Sequence, residues 1–274
     1  MRADDFDLTW EQAVLWLKHQ PDKQALVKAC FFDDPLVLAA SRYYESTEWS
    51  AVRSLIYPAR GRALDVGSGR GISAFALAKD GWETTALEPN VSEIVGAGAI
   101  RALAAETGTR INVIETWGEA LPFEDGTFDL VHVRQALHHA NDLRQLCREI
   151  ARVLEPGGIM IATREHVLSR KDDLNKFLNT HPLHHLYGGE NAFLLQDYVS
   201  AIQDAGIRLT KVLNPLESDI NTYPETLTSV RKEYARKLRL PSSAFVPDWL
   251  LSWKGARSDE PGRLYTFFGH KEKD

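Results

Sequence analysis

Three glycines follow a short apolar run, in the segment Leu64-Asp65-Val66-Gly67-Ser68-Gly69-Arg70-Gly71. We predict a buried strand up to Val66 and a helix that begins at Ile72. Glycines at such a turn let the backbone approach a ligand with no Cβ in the way, and the start of a helix offers free N–H groups. Ligands of open α/β sheets bind beyond the carboxyl ends of the strands. The sequence therefore predicts a binding site at this turn.

Two acidic residues indicate which ligand the turn binds. Asp65 lies two residues before Gly67, and Glu88 closes a second predicted strand. A carboxylate at the end of that strand can accept hydrogen bonds from both hydroxyls of a ribose. The G-x-G-x-G spacing differs from the G-x-G-x-x-G of dinucleotide sites, and Asp65 would repel a pyrophosphate but attract a cation. These features favour a cationic nucleoside and disfavour an NAD-dependent oxidoreductase.

Composition limits the class of protein. A chain of 274 residues with 44% hydrophobic and 26% charged residues is ordinary for a globular protein. The net charge of -6 argues against a protein that mainly binds nucleic acid, because phosphates attract positive surfaces. No uncharged apolar run approaches the ~18 residues of a membrane span, and the acidic N-terminus does not resemble a signal peptide. We expect a cytoplasmic protein with no membrane span and no nucleic-acid partner.

Alternating strand and helix patterns begin at Arg62. They predict an α/β, doubly wound fold with a mostly parallel, seven-stranded sheet, a helical N-terminal lid and an inserted cap. The lid should hold three helices, which start near Thr9, at Pro21 and at Pro35, and the third should run to about Ser54. The predicted strands are 63–66, 83–88, 111–114, 128–133, 159–163, 207–213 and 264–268. The predicted helices between them are 72–79, 91–106, 143–154 and 196–205.

Four segments in order resemble the class I S-adenosylmethionine-dependent methyltransferases. ALDVGSGRG resembles the first motif of this family and ALEPN the second. TWGEALPFEDGTFDLVHVRQALHHAND resembles the adenine-side segment and fourth strand of the branch that includes the quinone-biosynthesis C-methyltransferases, and REIARVLEPGGIMIATREH the helix and strand that follow. The resemblance covers about 62–162 closely and implies S-adenosylmethionine as the cofactor. The rest is similar to uncharacterised bacterial methyltransferases, a similarity that names no acceptor.

The resemblance implies a role for each matching position. The glycine turn would wrap the methionine part of the cofactor, the acid before it would orient the cofactor amine, and the acid after the second strand would hold the ribose. The adenine would contact the residue after that acid and the segment before the fourth strand, and the sulfonium would lie near the residue after the fourth strand. In chain order these residues are Asp65, Gly67, Ser68, Gly69, Gly71, Glu88, Pro89, Trp117, Gly118, Glu119 and Gln135. Relatives often have Asp in place of Trp117, which cannot accept a hydrogen bond from the adenine but could stack on it.

Polar side chains that follow the fourth and fifth strands are the candidates for catalysis. The first group is His138 and His139, and the second is Arg164-Glu165-His166. An imidazole has an ordinary pKa of ~6.5 and could act as a base near neutrality. Each histidine could equally cap a helix or lie in the core, and the adjacent Arg and Glu could pair as surface charges. We name His138, His139, Glu165 and His166 as candidate catalytic residues and Arg164 as a candidate substrate-binding residue.

Two further regions carry candidate acceptor-binding residues. The histidines of the polar segment 181–191 cluster, so a metal site is one alternative, but they have no standard zinc spacing. We expect instead a wall that recognises a polar substrate, with His184 and Tyr187 as contacts, and no metal. The resemblance also implies an aromatic residue of the lid against the sulfonium, and Tyr43 or Tyr44 could make this cation–π contact, worth ~0.5–2 kcal/mol. The alternative is an aromatic side chain that packs the helix onto the sheet.

The expected function is methyl transfer from S-adenosylmethionine to a small polar or saccharide-like acceptor, by direct in-line displacement. The alternative is a module that binds S-adenosylmethionine or S-adenosylhomocysteine without catalysis. The predicted regions are a lid (1–58), a cofactor-binding core (59–165), an inserted substrate loop (166–195), a core helix and strand (196–213), a helical cap insertion (214–261), and a terminal strand and tail (262–274).

Overall fold

The computed structural model describes residues 8–57 and 61–273, so the predicted end of the lid at residue 58 lies outside the described residues. A single sheet of eight strands forms the centre of the molecule, in the order β3-β2-β1-β4-β5-β8-β7, with β6 beside the end of β5. The strands are β1 Arg62–Val66, β2 Glu83–Leu87, β3 Ile111–Ile114, β4 Phe128–Arg134, β5 Leu154–Leu168, β6 Phe193–Leu194, β7 Ile207–Leu213 and β8 Arg263–Lys271.

The predicted fold class is confirmed. Neighbouring strands from β1 to β6 are parallel, and β8 runs antiparallel to both β5 and β7. All seven predicted strands are present, and the two-residue β6 is an additional one. The fifth strand extends beyond the predicted 159–163 at both ends: it begins at Leu154, before Pro156-Gly157-Gly158, and it continues to Leu168, where it pairs with β6 and β8. The register with β4 shifts between Phe128 and Leu130, and the strand continues.

Helices cover both faces of the sheet and its carboxyl edge. They are α1 Trp10–Lys18, α2 Gln24–Ala29, α3 Leu36–Tyr44, α4 Thr47–Ile56, α5 Ile72–Asp80, α6 Ala97–Thr107, α7 Leu143–Val153, α8 Leu174–Thr180, α9 His184–Tyr187, α10 Leu195–Asp204, α11 Asp219–Thr222, α12 Leu227–Lys237 and α13 Asp248–Ala256. One large apolar cluster lies between the sheet and α7 with α10, and another lies between the sheet and α3, α4 and α5. In the described part of the chain, no helix combines the length and apolar character that would cross a bilayer.

Helix caps explain where the helices differ from the sequence prediction. The Thr9 side chain accepts a hydrogen bond from the Gln12 N–H, which starts α1 as predicted. The single helix predicted from Pro35 to Ser54 is wrong, because the Ser46 hydroxyl accepts from the Trp49 N–H and starts a new helix, α4. The helix predicted at Pro21 begins as a 3₁₀ turn that leads into α2.

The helix predicted over 91–106 begins later, at Ala97. The carbonyl oxygen of Asn90 accepts from the Ala97 N–H at 2.7 Å, so the chain folds tightly before the helix. A Cβ on Gly96 would lie 2.1 Å from the same oxygen, so only glycine fits between these residues.

Candidate active site

The glycine turn after β1 lies at the carboxyl edge of the sheet. Gly67, Gly69 and Gly71 have φ of +68°, +53° and +83°, a region that favours glycine. A Cβ on Gly67 would lie 2.5 Å from the Cβ of Ala136, so this turn also packs against the chain that follows β4. The backbone conformation therefore favours glycine at all three positions, and close packing adds to this at Gly67.

Most N–H groups of the turn are already hydrogen-bonded within the protein. The N–H groups of Gly67 and Ser68 donate to the Leu87 carbonyl at 2.9 and 3.1 Å, and that of Gly71 donates to the Ser68 carbonyl at 2.8 Å. The N–H of Gly69 donates to Glu88 Oε2 at 2.7 Å. A turn arranged in this way does not offer the free N–H groups of a phosphate cradle, which supports the prediction of a nucleoside without phosphates.

Glu88 is buried directly beside this turn. Its Oε1 accepts from the Asn90 N–H at 2.9 Å, and its Oε2 accepts from the Gly69 N–H. Burial raises the pKa of Glu88 to about 7, although both N–H groups act in the opposite direction. Each carboxylate oxygen keeps a second lone pair, so both can still accept from a ligand hydroxyl. This arrangement fits the ribose contact that the sequence predicted.

One cavity of about 730 Å³ connects the glycine turn with the ends of β4 and β5. Its volume is typical of a pocket for a cofactor or small molecule. Fourteen of the sequence-predicted site residues line it: Gly67, Ser68, Gly69, Glu88, Pro89, Trp117, Gly118, Glu119, Gln135, His138, His139, Arg164, His166 and Tyr187. Five others are absent from the described residues of its wall: Tyr43, Asp65, Gly71, Glu165 and His184.

Asp65 contacts a buried histidine behind the cavity wall. Its Oδ1 lies 2.7 Å from His132 Nδ1, and the side chains of both residues are almost fully buried. His132 stands on β4 in register with Asp65 on β1. Through Oδ1, Asp65 therefore links two strands that carry the cavity wall, and its contact with the cofactor amine stays a prediction.

Tyr43 is fully buried and does not reach the cavity, so its predicted contact with the sulfonium is wrong. Its ring packs against Phe31 at 5.2 Å and Trp49 at 5.6 Å, as in the alternative interpretation of an aromatic that packs the helices onto the sheet. Phe31 lines the cavity instead, with φ of +58°. Sequence periodicity could not identify Phe31, because it follows α2 in a left-handed conformation.

Residues of the adenine-side segment line the cavity, but their side chains differ in availability. Trp117 is 64% exposed, which leaves its ring face open to a stacked base. A Cβ on Gly118 would lie 2.6 Å from Leu146, so the chain passes close to α7 here. The Glu119 carboxylate accepts from the Asn141 N–H at 3.0 Å, so it holds the following loop.

Two arginines at the ends of β4 and β5 are buried with one glutamate. Arg134 forms a two-point ion pair with Glu48 of α4, at 2.6 and 3.0 Å. Arg164 donates to the carbonyl oxygens of Ile220 and Tyr223 at 2.7 and 3.0 Å, and one of its nitrogens lies 3.9 Å from Glu48. The alternative in which Arg164 pairs with its neighbour on the surface is therefore wrong.

Backbone strain is concentrated around the cavity. Among the described residues, the non-glycine residues with positive φ are Phe31, Gln135, Arg164 and Arg239, and the first three line the cavity. Such conformations cost of order 1–3 kcal/mol each and occur often at functional sites. The fold therefore holds these side chains at the ends of β4 and β5 against local preference.

Glu165 is a positioning residue at the end of β5, behind the cavity wall. Its two oxygens accept from the N–H groups of Ala136, Leu137 and His138, at 3.1, 3.2 and 3.1 Å. Its Oε2 also lies 2.7 Å from His138 Nδ1. The carboxylate thus fixes the 3₁₀ turn Leu137–His139 and directs the other ring nitrogen of His138 away from itself.

Polar side chains from three parts of the chain gather around Glu190. This histidine–glutamate cluster consists of His138, His139, His166, His181, Tyr187 and Glu190, all of which line the cavity. The sequence prediction selected four of them and missed His181 and Glu190, although both lie in the polar segment 181–191. Tyr187 donates to Glu190 Oε1, and two groups of three potential metal ligands share Glu190.

The charges of the cluster differ from those of free side chains. Burial alone would lower the pKa of His138, but its contacts with Glu165 and Glu190 raise it to about 9. Burial lowers the pKa of His139, and the charge on His138 adds to that effect. Burial lowers the pKa of His166 to about 3. Although burial opposes it, the surrounding imidazoles hold the pKa of Glu190 well below its usual range.

Helices near the N-terminus supply an apolar wall that the sequence prediction did not include. The residues concerned are Trp10, Leu17, Leu26, Cys30, Phe31 and Phe32. The Trp10 ring packs 4.7 Å from that of Tyr187, so α1 contacts the polar segment directly. The helical pattern and its aromatic residues were visible in the sequence, but not which of their faces line the cavity.

Comparisons with known proteins support this interpretation. Residues 64–162 match the family described as a methyltransferase domain. The uncharacterized methyltransferase YcgJ of Bacillus subtilis is 32% identical over 126 residues, which are 43% of this chain and 46% of that protein. A ubiquinone biosynthesis O-methyltransferase of Vibrio parahaemolyticus is 36% identical over 98 residues, 35% of this chain and 40% of that protein. The chain thus matches less than half the length of these curated relatives.

Solved structures share the fold at low sequence identity. The crystal structure of YcgJ from Bacillus subtilis superposes with a TM-score of 0.55 and 20% identity, over 83% of this chain and 99% of that one. A geranyl diphosphate methyltransferase in complex with S-adenosylmethionine superposes with a TM-score of 0.59 and 16% identity, over 97% of both chains. The matched segment 64–162 contains the glycine turn, Glu88 and Gln135. Residues 64–162 are therefore a methyltransferase domain of the class I, S-adenosylmethionine-dependent type.

Proposed function

We propose that the protein transfers a methyl group from S-adenosylmethionine to a small acceptor that lies against the histidine–glutamate cluster. One observation carries the proposal: a single cavity joins the glycine turn to that cluster. The carboxyl ends of β1 and β2 form the first part of the cavity wall, and the ends of β4 and β5 form the second. A cofactor and an acceptor can therefore lie next to each other in one cavity.

Residues of the first part would hold the cofactor. Glu88 would accept hydrogen bonds from the ribose hydroxyls through its remaining lone pairs, and Trp117 would stack on the adenine. Gly69 leaves open space on the cavity side of the turn, since nothing lies within 4 Å of where its Cβ would be. When bound, S-adenosylmethionine supplies a methyl group that its positively charged sulfur activates for transfer.

The second part of the wall favours an acceptor with a polar reacting end and an apolar remainder. The histidine–glutamate cluster offers hydrogen-bonding partners to a hydroxyl group, while Phe31, Phe32 and Leu17 offer an apolar surface. The cluster supports the hydroxylated acceptor that the sequence predicts. The apolar wall favours a molecule with a ring or chain over a bare saccharide.

The chain's own residues mainly align the acceptor and exclude water. Direct in-line displacement depends on alignment, which can contribute ~7–11 kcal/mol to lowering the barrier. Glu165 fixes His138, and carbonyl oxygens fix the rings of His139 and His166 through Nδ1. Because a carbonyl only accepts, Nδ1 of these two rings carries the hydrogen and Nε2 has a free lone pair. Such lone pairs can orient an acceptor hydroxyl toward the methyl group.

This arrangement favours an enzyme over the alternative of a non-catalytic binding module. A module that only binds the cofactor has no need of the oriented polar cluster next to the cofactor cavity. The decisive experiment incubates the protein with methyl-labelled S-adenosylmethionine and fractionated small-molecule extracts. We expect labelled product together with S-adenosylhomocysteine. The absence of transfer to every fraction, with intact cofactor binding, would support the non-catalytic module.

A pair of glycine variants controls this experiment. Gly69→Ala places a methyl group at the cavity wall, whereas Gly81→Ala introduces a similar positive-φ strain at the end of α5, also with open space around it. We expect Gly69→Ala to weaken S-adenosylhomocysteine binding by about tenfold or more, equivalent to ~1.4 kcal/mol. Gly81→Ala should bind as the wild type does. Equal affinities of the two variants would contradict the placement of the cofactor at this turn.

A further inference from the structure

We propose that His138, His139 and Glu190 form a binding site for a divalent transition-metal ion on the acceptor side of the cavity. The sequence offers a metal site only as an alternative, because its histidines have no standard spacing. The fold brings together ligands that are far apart in the sequence. Glu190 comes from the polar segment 181–191, and it lies beside two consecutive histidines of the turn that follows β4.

The three ligand atoms have a suitable arrangement. His138 Nε2 lies 3.7 Å from Glu190 Oε2, and His139 Nε2 lies 4.0 Å from the same oxygen. All the atoms of the group lie within 4.8 Å of one another. An ion with ligand bonds of ~2.0–2.2 Å needs donor atoms about 3–4 Å apart. Small side-chain movements are enough to complete the site.

The outer partners of both histidines are those of metal ligands. His138 Nδ1 contacts the Glu165 carboxylate at 2.7 Å, and His139 Nδ1 donates to the Gly189 carbonyl at 3.0 Å. Metal-binding histidines usually donate their second ring N–H to a carboxylate or a backbone carbonyl, which fixes the ring and its tautomer. In both rings Nε2 is thereby left as the coordinating atom, on the side of Glu190.

A second group of possible ligands, His166, His181 and Glu190, fits less well. His166 donates to the Gly262 carbonyl through Nδ1, as a ligand should. His181 instead uses Nδ1 to accept the Leu183 N–H at 3.4 Å, and the Glu190 oxygen nearest to it already accepts from Tyr187. We therefore assign the ion to His138 and His139.

Charge also favours a cation at this place. Glu165 and Glu190 are both buried, and each lies within hydrogen-bonding or ion-pairing reach of the same imidazole of His138. The nearby Arg134 and Arg164 are occupied by Glu48 and by carbonyl oxygens. The two negative charges of these buried carboxylates require positive charge nearby. A proton on His138 supplies one positive charge, whereas a divalent ion supplies two.

Such an ion would bind the oxygen of an acceptor. Two imidazoles and one carboxylate suit zinc, iron and cobalt and leave coordination positions open. The His139 side chain is 40% exposed, so those positions would face the cavity. A hydroxyl group coordinated there would have a lowered pKa and a fixed position. This catalytic consequence rests on the proposed function, whereas the binding of the ion does not.

The test measures metal binding in the absence of cofactor and acceptor. After removal of metals with a chelator, the full chain is titrated with Co²⁺, followed by its visible absorption, and with Zn²⁺ in competition with a chromophoric chelator. We expect one ion per chain. Glu190→Gln and His139→Asn should weaken binding by at least about tenfold, and Glu165→Gln by ~10–100-fold, the range for the loss of an outer partner.

The control is His270→Asn. His270 lies near the C-terminal end of β8, outside the proposed site, so this variant should bind the metal ion as the wild type does. Binding of S-adenosylhomocysteine by each variant verifies that it is folded. The proposal is overturned if the wild type takes up no stoichiometric ion, or if Glu190→Gln and His139→Asn bind it as tightly as the wild type. Because no methyl transfer is measured, failure of the metal site remains distinct from failure of the proposed function.

Discussion

The protonation state of Glu88 affects how strongly the cavity binds a nucleoside. Burial raises the pKa of this carboxyl to about 7, against the effect of the Asn90 and Gly69 N–H groups. This value lies above the pKa of 4.5 of a free glutamate. Between about pH 4.5 and 7 the unfolded chain has lost this proton, whereas the folded chain still binds it. The contribution of Glu88 to the free energy of unfolding therefore falls as the pH rises through this range. A ligand that needs the ionised carboxylate must displace that proton.

We predict that S-adenosylhomocysteine binds more weakly as the pH falls below about 7, because ribose hydroxyls donate to the ionised form of Glu88. If only that form binds, the affinity should fall roughly tenfold between pH 8 and pH 6. Calorimetric titration at both pH values measures the change. Glu88→Gln should bind weakly at both and show little pH dependence. A wild-type slope retained in this variant would assign the effect to another group.

Local motifs made part of the site predictable. The glycine turn and Glu88 are contiguous with the strands that carry them, so their spacing alone indicates a place at the carboxyl edge. Which of Tyr43 and Phe31 lines the cavity could not be predicted from local sequence, because the burial of a side chain depends on packing partners far away in the sequence. Glu190 is a second example, because the histidines after β4 approach it only in the folded chain.

At the scale of secondary-structure elements, the Arg134–Glu48 pair joins α4 to the end of β4. Glu48 is fully buried and meets Arg134 at two points, and Arg164 lies 3.9 Å from it. Removal of one partner of a buried pair leaves an uncompensated charge, which is strongly destabilising. Here one carboxylate serves two guanidinium groups that line the cavity.

We expect Glu48→Ala to lower the free energy of unfolding by ~3–5 kcal/mol. Glu45→Ala is the matched control, because Glu45 is exposed near the same break between α3 and α4 and should change stability by less than ~0.5 kcal/mol. Urea denaturation of the three proteins measures the difference. In the double variant Glu48→Ala with Arg134→Ala, the cost should be smaller than the sum of the single changes. A Glu48→Ala effect as small as that of Glu45→Ala would contradict this account.

Sequence patterns predicted the elements of the sheet better than the helices at the N-terminus. The strands were identifiable because short β-branched runs alternate with helical segments. Three features were not identifiable. The Ser46 cap splits one predicted helix into two, the chain between Asn90 and Ala97 delays α6, and the Pro-Gly-Gly segment lies within β5. In each case a specific hydrogen bond or a shift in register overrides the periodicity that the prediction used.

At the scale of the whole molecule, two distant parts of the chain meet over the cavity. This cover consists of α1, α2 and residues 181–190. The Leu8 N–H donates to the Leu186 carbonyl at 3.2 Å, and a small apolar cluster joins Val14 and Leu17 to Leu183. The sequence predicted a helical lid and a polar loop separately. Their contact could not be predicted, because nothing local in either segment specifies the other.

The cover should open more easily than the sheet, because it is held by its own small apolar cluster and not by the two large ones. Leu17, Leu183 and Tyr187 of the cover line the cavity wall, so a ligand in the cavity would contact the cover and hold it closed. We therefore predict that S-adenosylhomocysteine slows amide hydrogen exchange in α1 and in 181–190 severalfold. Helix α12, which does not line the cavity, is the internal control and should exchange at an unchanged rate.

The pattern of protection separates local closure from a general gain in stability. A ligand that binds only the folded state slows every amide that exchanges by global unfolding, by the same free energy. Amides that exchange by local opening respond only if the ligand closes that opening. Equal slowing in α12 and in the cover would therefore contradict a cover that moves on its own. Slowing confined to the glycine turn would place the entry route elsewhere and leave the contact between Trp10 and Tyr187 as a fixed part of the wall.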